Sequence, residues 1–223
     1  MVGRPDVNRG GLTVPIDTPH PEYEAAAPDG QRCRDAYCGR RAVRAAGTAY
    51  LPWSGKAFSQ EEYDDYADRA VWYGATERTV TGLAGAISRK DTAIDVPPLL
   101  EPHLQDIDLA GTAIDGLIGQ LLQEQLLMSR ACLQVTMPDQ PGAEQRPYWV
   151  LWRAEDVVNW REERVAGAMV TTRVVLREAE YVPKLDDPYA SEVRTRYREL
   201  ELLNAATAPA LRERVWVERT GPG

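Results

Sequence analysis

The hydrophobic pattern changes its period once, near Arg130. Before that point apolar residues recur at helical spacing; beyond it they alternate. A period of 3.6 puts residues i, i+3, i+4 and i+7 on one helix face, whereas a period of 2 puts every second residue on one strand face. A chain that runs through its helices first and its strands second predicts an α+β fold, a helical half followed by a mainly antiparallel sheet half. At 223 residues it is one large domain or two small ones. That length buries a core without help from metals or disulfides.

Residues 1–20 are predicted to form a flexible arm, because Pro5, Pro15, Pro19 and Pro21 break any periodicity and Gly10-Gly11 adds freedom. Residues 21–130 are then the mainly helical part and residues 131–223 the mainly β-sheet part. A helix is predicted over Gln31–Ala46, stopped by Gly47, with a loop over Tyr50–Gly55. Ser59-Gln60-Glu61-Glu62 is a capping box. Tyr63, Tyr66, Ala67 and Ala70 follow it as one buried stripe, and Gly74 is expected to end that helix. Thr76 is expected to cap the next, with Val80, Leu83, Ala84 and Ile87 as its stripe. Gly82 and Gly85 lie beside the stripe and cost a helix about 1 kcal/mol each against Ala. They predict close packing or an interruption there. Thr92–Val96 reads as a short strand, Leu99–Ile107 as a short helix, and Thr112–Asp115 as a second cap. Ile114, Leu117, Ile118, Leu121, Leu122 and Leu126 then form the strongest apolar helix, expected at the centre of the core.

Past the change of period, strands are predicted over Ala131–Met137 and Tyr148–Trp152, joined by a polar loop over Pro138–Pro147. A turn at Ala154-Glu155-Asp156 leads to Val157, Val158 and Trp160. Ala168–Glu180 alternates, and so does Glu192–Leu203, with Arg194, Arg196 and Arg198 opposite Val193, Thr195 and Tyr197. The apolar parity then slips to Leu200 and Leu202, which predicts a bulge near Glu199. Arg212–Thr220 is the last strand.

Composition narrows the function. A net charge of -8 argues against coating duplex DNA, which needs many cations facing phosphate. No apolar run approaches 18 residues, so no membrane span is predicted. Met1–Gly11 has no signal-peptide core, and three cysteines do not make a disulfide framework. The chain reads as made in a reducing cytosol. Cys33, Cys38, Cys132, His20 and His103 lack zinc-ligand spacing. Glu61, Glu62, Asp64, Asp65 and Asp68 follow a capping box and read as a solvated helix face, not a calcium loop. There is no Gly-Lys-Ser/Thr phosphate loop and no Gly-x-Ser-x-Gly elbow. No cofactor, metal or catalytic residue is predicted. Trp149 and Trp160 belong to an aromatic cluster that reads first as sheet packing and second as interface.

Several short pieces follow one another along the chain: His20-Pro21-Glu22-Tyr23, Tyr50-Leu51-Pro52, Tyr63 with Arg69-Ala70, and the dense run Ala75-Thr76-Glu77-Arg78-Thr79-Val80-Thr81-Gly82-Leu83-Ala84-Gly85. Arg89-Lys90, Leu109-Ala110-Gly111, Arg146-Pro147-Tyr148-Trp149-Val150 and Asn159-Trp160-Arg161 continue the series. In these pieces, over about residues 20–180, the sequence resembles the N-terminal wing part of portal proteins of tailed bacteriophages, a portal-like family formerly of unknown function. The resemblance implies a non-enzymatic structural component of the capsid portal vertex in the virion, assembled in the host bacterial cytoplasm. It implies a ring of copies, usually twelve, that meets capsid, terminase and neck or tail adaptor proteins. Phage DNA passes through such a ring without sequence-specific contact. Family members are longer, so stem, clip and crown are expected beyond Gly223 and the chain is expected to be a fragment. The family offers no catalytic residue to carry over.

On that reading the contacts are surface patches. Arg194, Arg196 and Arg198 are expected to face a neighbour's acidic helix carrying Glu61, Asp64 and Asp65, with Trp149 and Trp160 as aromatic contacts. Two other readings stand beside it: a different head–tail connector protein, and a hydrolase working with carboxylates, which requires converging Asp/Glu in a cleft.

Overall fold

The computed structural model describes residues 6–9, 12–53, 55, 59–90, 92–138, 146–184 and 186–217, with the backbone alone for 6–9 and 12–14. Five helices precede the main sheet: α1 (Pro21–Cys38), α2 (Arg40–Ala45), α3 (Gln60–Arg69), α4 (Ala75–Ile87) and α5 (Ile114–Met128). The strands are β1 (Asp6–Arg9), β2 (Leu12–Pro15), β3 (Cys132–Thr136), β4 (Tyr148–Trp152), β5 (Val157–Val165), β6 (Ala168–Pro183), β7 (Ser191–Leu203) and β8 (Ala210–Val217). β5-β6-β7-β8 is a four-stranded antiparallel sheet, while β1-β2 and β3-β4 are two-stranded. The α+β order of elements is the one the change of period implies.

The chain divides into two compact units, and the division differs from the expected one at 20/21 and 130/131. One unit holds residues 1–27 and 152–223, the other residues 28–151. The reason lies in the segment expected to be an arm. β1 and β2 pair antiparallel, Ile16 is buried with Val158 and Val175, and Tyr23, Tyr197 and Trp216 pack around them. The His20 amide donates to the Val158 carbonyl at 2.9 Å, and Asn159 Nδ2 donates to the Thr18 carbonyl at 2.7 Å. The prolines break helical periodicity, yet they leave the chain free to run extended along the sheet edge.

The helix expected over 31–46 begins at Pro21 and stops at Cys38. Gly39, at φ 80°, separates it from α2; without a Cβ that conformation carries no steric cost. α1 and α5 are joined by side chains. Arg34 forks onto Glu124, with Nη1–Oε1 at 3.0 Å and Nη2–Oε2 at 2.6 Å, and the Tyr37 hydroxyl donates to Gln123 at 3.2 Å. The Ser59 capping box is present in full, so α3 starts where expected. It ends at Arg69, and Gly74 is the N-cap of α4, not the end of α3; Thr76 lies inside α4.

On α4, Val80 and Ala84 are buried but Leu83 and Ile87 are exposed. α4 is continuous, and a Cβ at Gly82 or Gly85 would meet nothing within 4 Å. Neither close packing nor interruption accounts for those glycines. Residues 92–96 form no strand, and Glu101–Gln105 is a 3-10 helix. Ala113, without a side-chain cap, precedes α5; the Thr112 amide donates instead to Asp108 at 3.0 Å. Of the expected α5 stripe Leu117 is buried, Ile114, Ile118, Leu121 and Leu122 are half-buried and Leu126 is exposed, while Leu127, outside it, is buried, so α5 does not form the centre of the core as expected. Most of the expected polar loop, residues 139–145, lies outside the described residues.

Charged sheet and candidate interface residues

The strands of the main sheet run in continuous register from Arg173↔Glu201 to Pro183↔Ser191 and from Arg196↔Val217 to Leu203↔Ala210. No bulge occurs near Glu199. The register shifts fall in β5, between Val157 and Asn159 and between Arg161 and Glu162. Continuous register puts Tyr197, Glu199 and Glu201 on the face of Val175, Arg173 and Trp216, and puts Arg194, Arg196, Arg198, Leu200 and Leu202 on the other. Parity slips in the sequence because each face mixes apolar residues with charges. Charges are tolerated there because they are paired.

On the Val175 face Glu199 is 1% exposed. Arg173 Nε lies 3.2 Å from Glu199 Oε1, and Arg214 Nη2 lies 3.0 Å from Oε2. Glu201 takes Arg173 Nη2 at 2.6 Å, Arg214 Nη2 at 3.0 Å, and Arg212. Burial raises the Glu201 carboxyl, but hydrogen bonds from Arg212 and Arg173 and the charges of both outweigh it and hold it at about 2. On the opposite face Glu178 accepts from Arg196 Nε at 2.6 Å and from Arg198. Burial pushes its carboxyl up and the two arginines pull it further down, so the net shift is downward. Arg196 also reaches Glu180 at 3.1 Å, Arg198 pairs with Glu213, and Arg194 pairs with Glu192.

Arg194, Arg196 and Arg198 therefore have partners within their own sheet. Glu61, Asp64 and Asp65 are exposed on α3, where Gln60 Nε2 donates to Asp64 Oδ1 at 2.9 Å and the Asp65 carbonyl accepts from Arg69 Nε at 3.2 Å. Trp160 is half-buried and stacks on His20, with ring centroids 4.0 Å apart and planes 21° from parallel. Trp149 is half-buried in β4, and its amide donates to the Ile107 carbonyl at 2.9 Å. Trp160 and the three arginines belong to one unit, Glu61, Asp64, Asp65 and Trp149 to the other.

No protein-family model matches this chain, and no curated protein does.

Two features escaped the sequence reading. Tyr23 and Arg177 both donate to the Glu155 carbonyl, at 3.0 Å each, and Arg177 also lies 3.6 Å from Asp156. Burial there pushes the Asp156 carboxyl up. Asp106 and Asp108 accept the amides of Gly111, Ala110 and Thr112, and Arg146 reaches Asp106 at 2.7 Å. The Asp-x-Asp spacing ahead of Ala-Gly-Thr was a usable turn signal for the second; the first joins residues too distant in the chain to leave one. Among the described residues no group of three or more His, Cys, Asp and Glu is placed to hold a metal ion, and no helix is long and apolar enough to cross a membrane.

Proposed function

We propose that this chain is the N-terminal wing part of a tailed-bacteriophage portal protein, a structural subunit that works through contacts with its own copies and with neighbouring virion proteins. The observation that carries the reading is apolar exposure. Among the described residues more large apolar side chains are exposed than buried, including Tyr189 at 98%, Val71 at 93% and Leu99 at 82%. Single exposed apolar residues are ordinary, whereas contiguous ones mark covered surfaces, and a ring of copies would bury residues such as these. The order and spacing of the portal-like pieces supports the same reading.

In this reading the paired arginines and glutamates keep the main sheet stiff, and the neighbour contacts fall to the exposed apolar residues and to the carboxylates of α3. Capsid, terminase and neck or tail adaptors are the further partners, and DNA passes the assembled ring without sequence-specific contact. Light scattering on this chain, and on a longer reading frame containing it, tests the proposal. A ring-sized mass for the longer frame supports it; a monomer there overturns it. Microscopy of whole particles carrying a labelled chain separates the portal vertex from a position elsewhere in the neck.

A further inference from the structure

In the 28–151 unit a pocket of about 390 Å³ opens between α1, α2 and the segment 70–72. Its size falls within the range of small-ligand sites, roughly 300–1,000 Å³. Val43 and Leu51, both buried, and Ala36 and Trp72 supply apolar wall, while Arg32, Arg40 and Arg44 supply cations. These guanidiniums are spent unequally. Arg44 braces the site, reaching the Asp68 carbonyl and Asp68 Oδ1, the latter at 3.2 Å. Arg32 pairs with Asp29 at 2.7 Å, but both side chains are well exposed, so the pair is weak and exchangeable. Arg40 is bonded to the neutral Asp68 carbonyl at 3.2 Å. Arg44 Nε and Trp72 Nε1 are buried donors with no protein acceptor, and a buried donor without an acceptor is costly.

We propose that this pocket binds a small organic anion, with its apolar body against Val43, Leu51 and Trp72 and its carboxylate, sulfonate or phosphate held by Arg40 and Arg32. Asp29 and Asp68 offset Arg32 and Arg44, so the excess charge is that of Arg40, whose bond is to a neutral carbonyl; it favours an anion over a cation, and the apolar wall favours an organic ion over an inorganic one. The site is independent of the portal reading.

The test is a fluorescence titration of the full chain with 8-anilinonaphthalene-1-sulfonate and with N-phenyl-1-naphthylamine, which has a closely similar aromatic body without the charge. The wild type is expected to bind the sulfonate at one saturable site, about tenfold or more tighter than the neutral probe, as one charge-assisted contact provides. Arg40→Gln is expected to abolish that preference and leave neutral-probe binding unchanged. Arg32→Gln, on an exposed side chain, reduces the preference and checks the result should Arg40→Gln fail to fold. Equal affinity for both probes in the wild type overturns the proposal, as does a preference that survives both substitutions. A wild-type dimer that excludes the sulfonate and is lost in Arg40→Gln assigns the pocket to a second copy of the chain and overturns it too.

Discussion

Arg173 and Glu201 lie directly opposite each other on β6 and β7, with Nη2 and Oε1 2.6 Å apart. The pair sits beside Glu199, Arg212 and Arg214 share the Glu201 carboxylate, and Arg214 also reaches Glu199. Its effect on stability depends on pH. The Glu201 carboxyl stands at about 2 in the fold, against an ordinary value of 4.5. A depressed acid contributes stability that is fully present above its unfolded value and is lost as pH falls through the folded one. Urea midpoints of the wild type should therefore fall between about pH 5 and pH 2. Glu178 and Asp108, also lowered, add in the same sense, whereas Asp156, raised by burial, opposes it. Glu201→Gln is expected to be less stable at neutral pH and to show a shallower acid slope; an unchanged slope would contradict the assignment.

Glu199→Ala should be the most damaging single change in the sheet. It removes a carboxylate that is 1% exposed and leaves Arg173 and Arg214 short of a partner. Breaking buried ion pairs by removing one partner costs about 3 kcal/mol or more. Chemical denaturation of the sheet unit, followed by far-ultraviolet circular dichroism, reads this out.

Ile16→Ala tests whether the N-terminal segment belongs to the core. A cavity beside Val158 and Val175 is expected to cost about 2–4 kcal/mol. A loss within 0.5 kcal/mol, the scale of a surface change, would return residues 1–20 to the role of an arm.

Backbone conformation predicts opposite signs at two positions. Gly82 is helical with open space around it, so Gly82→Ala should stabilise by about 0.5–1 kcal/mol. Ala166 turns between β5 and β6 at φ 48°, followed by Gly167 at φ 92°, a two-residue hairpin turn with both residues left-handed. Asn tolerates that conformation better than Ala, so Ala166→Asn should raise the thermal midpoint while Gly167→Ala lowers it.

Ser59→Ala should cost about 1 kcal/mol by removing the α3 cap. The loss should appear in hydrogen exchange of the first turn of α3 before it appears in global unfolding.

The sequence by itself determined what depends on near neighbours. The Ser59 cap, the α5 helix, the turn over Ala154–Asp156 and the strands of the main sheet follow from side chains a few residues apart, whose contacts any folded context preserves. Strand existence was legible; strand faces were not, because Glu199 at a buried position looks like a break in parity. Only the tertiary structure brings Arg173 and Arg214 beside it, and pairing is what makes a buried carboxylate tolerable. Tertiary contact likewise decided the place of Ile16 and His20, whose partners Val158 and Trp160 lie far along the chain. It also decided the pairing of Arg194, Arg196 and Arg198, an exposed row in one dimension and half of an ion-pair lattice in three.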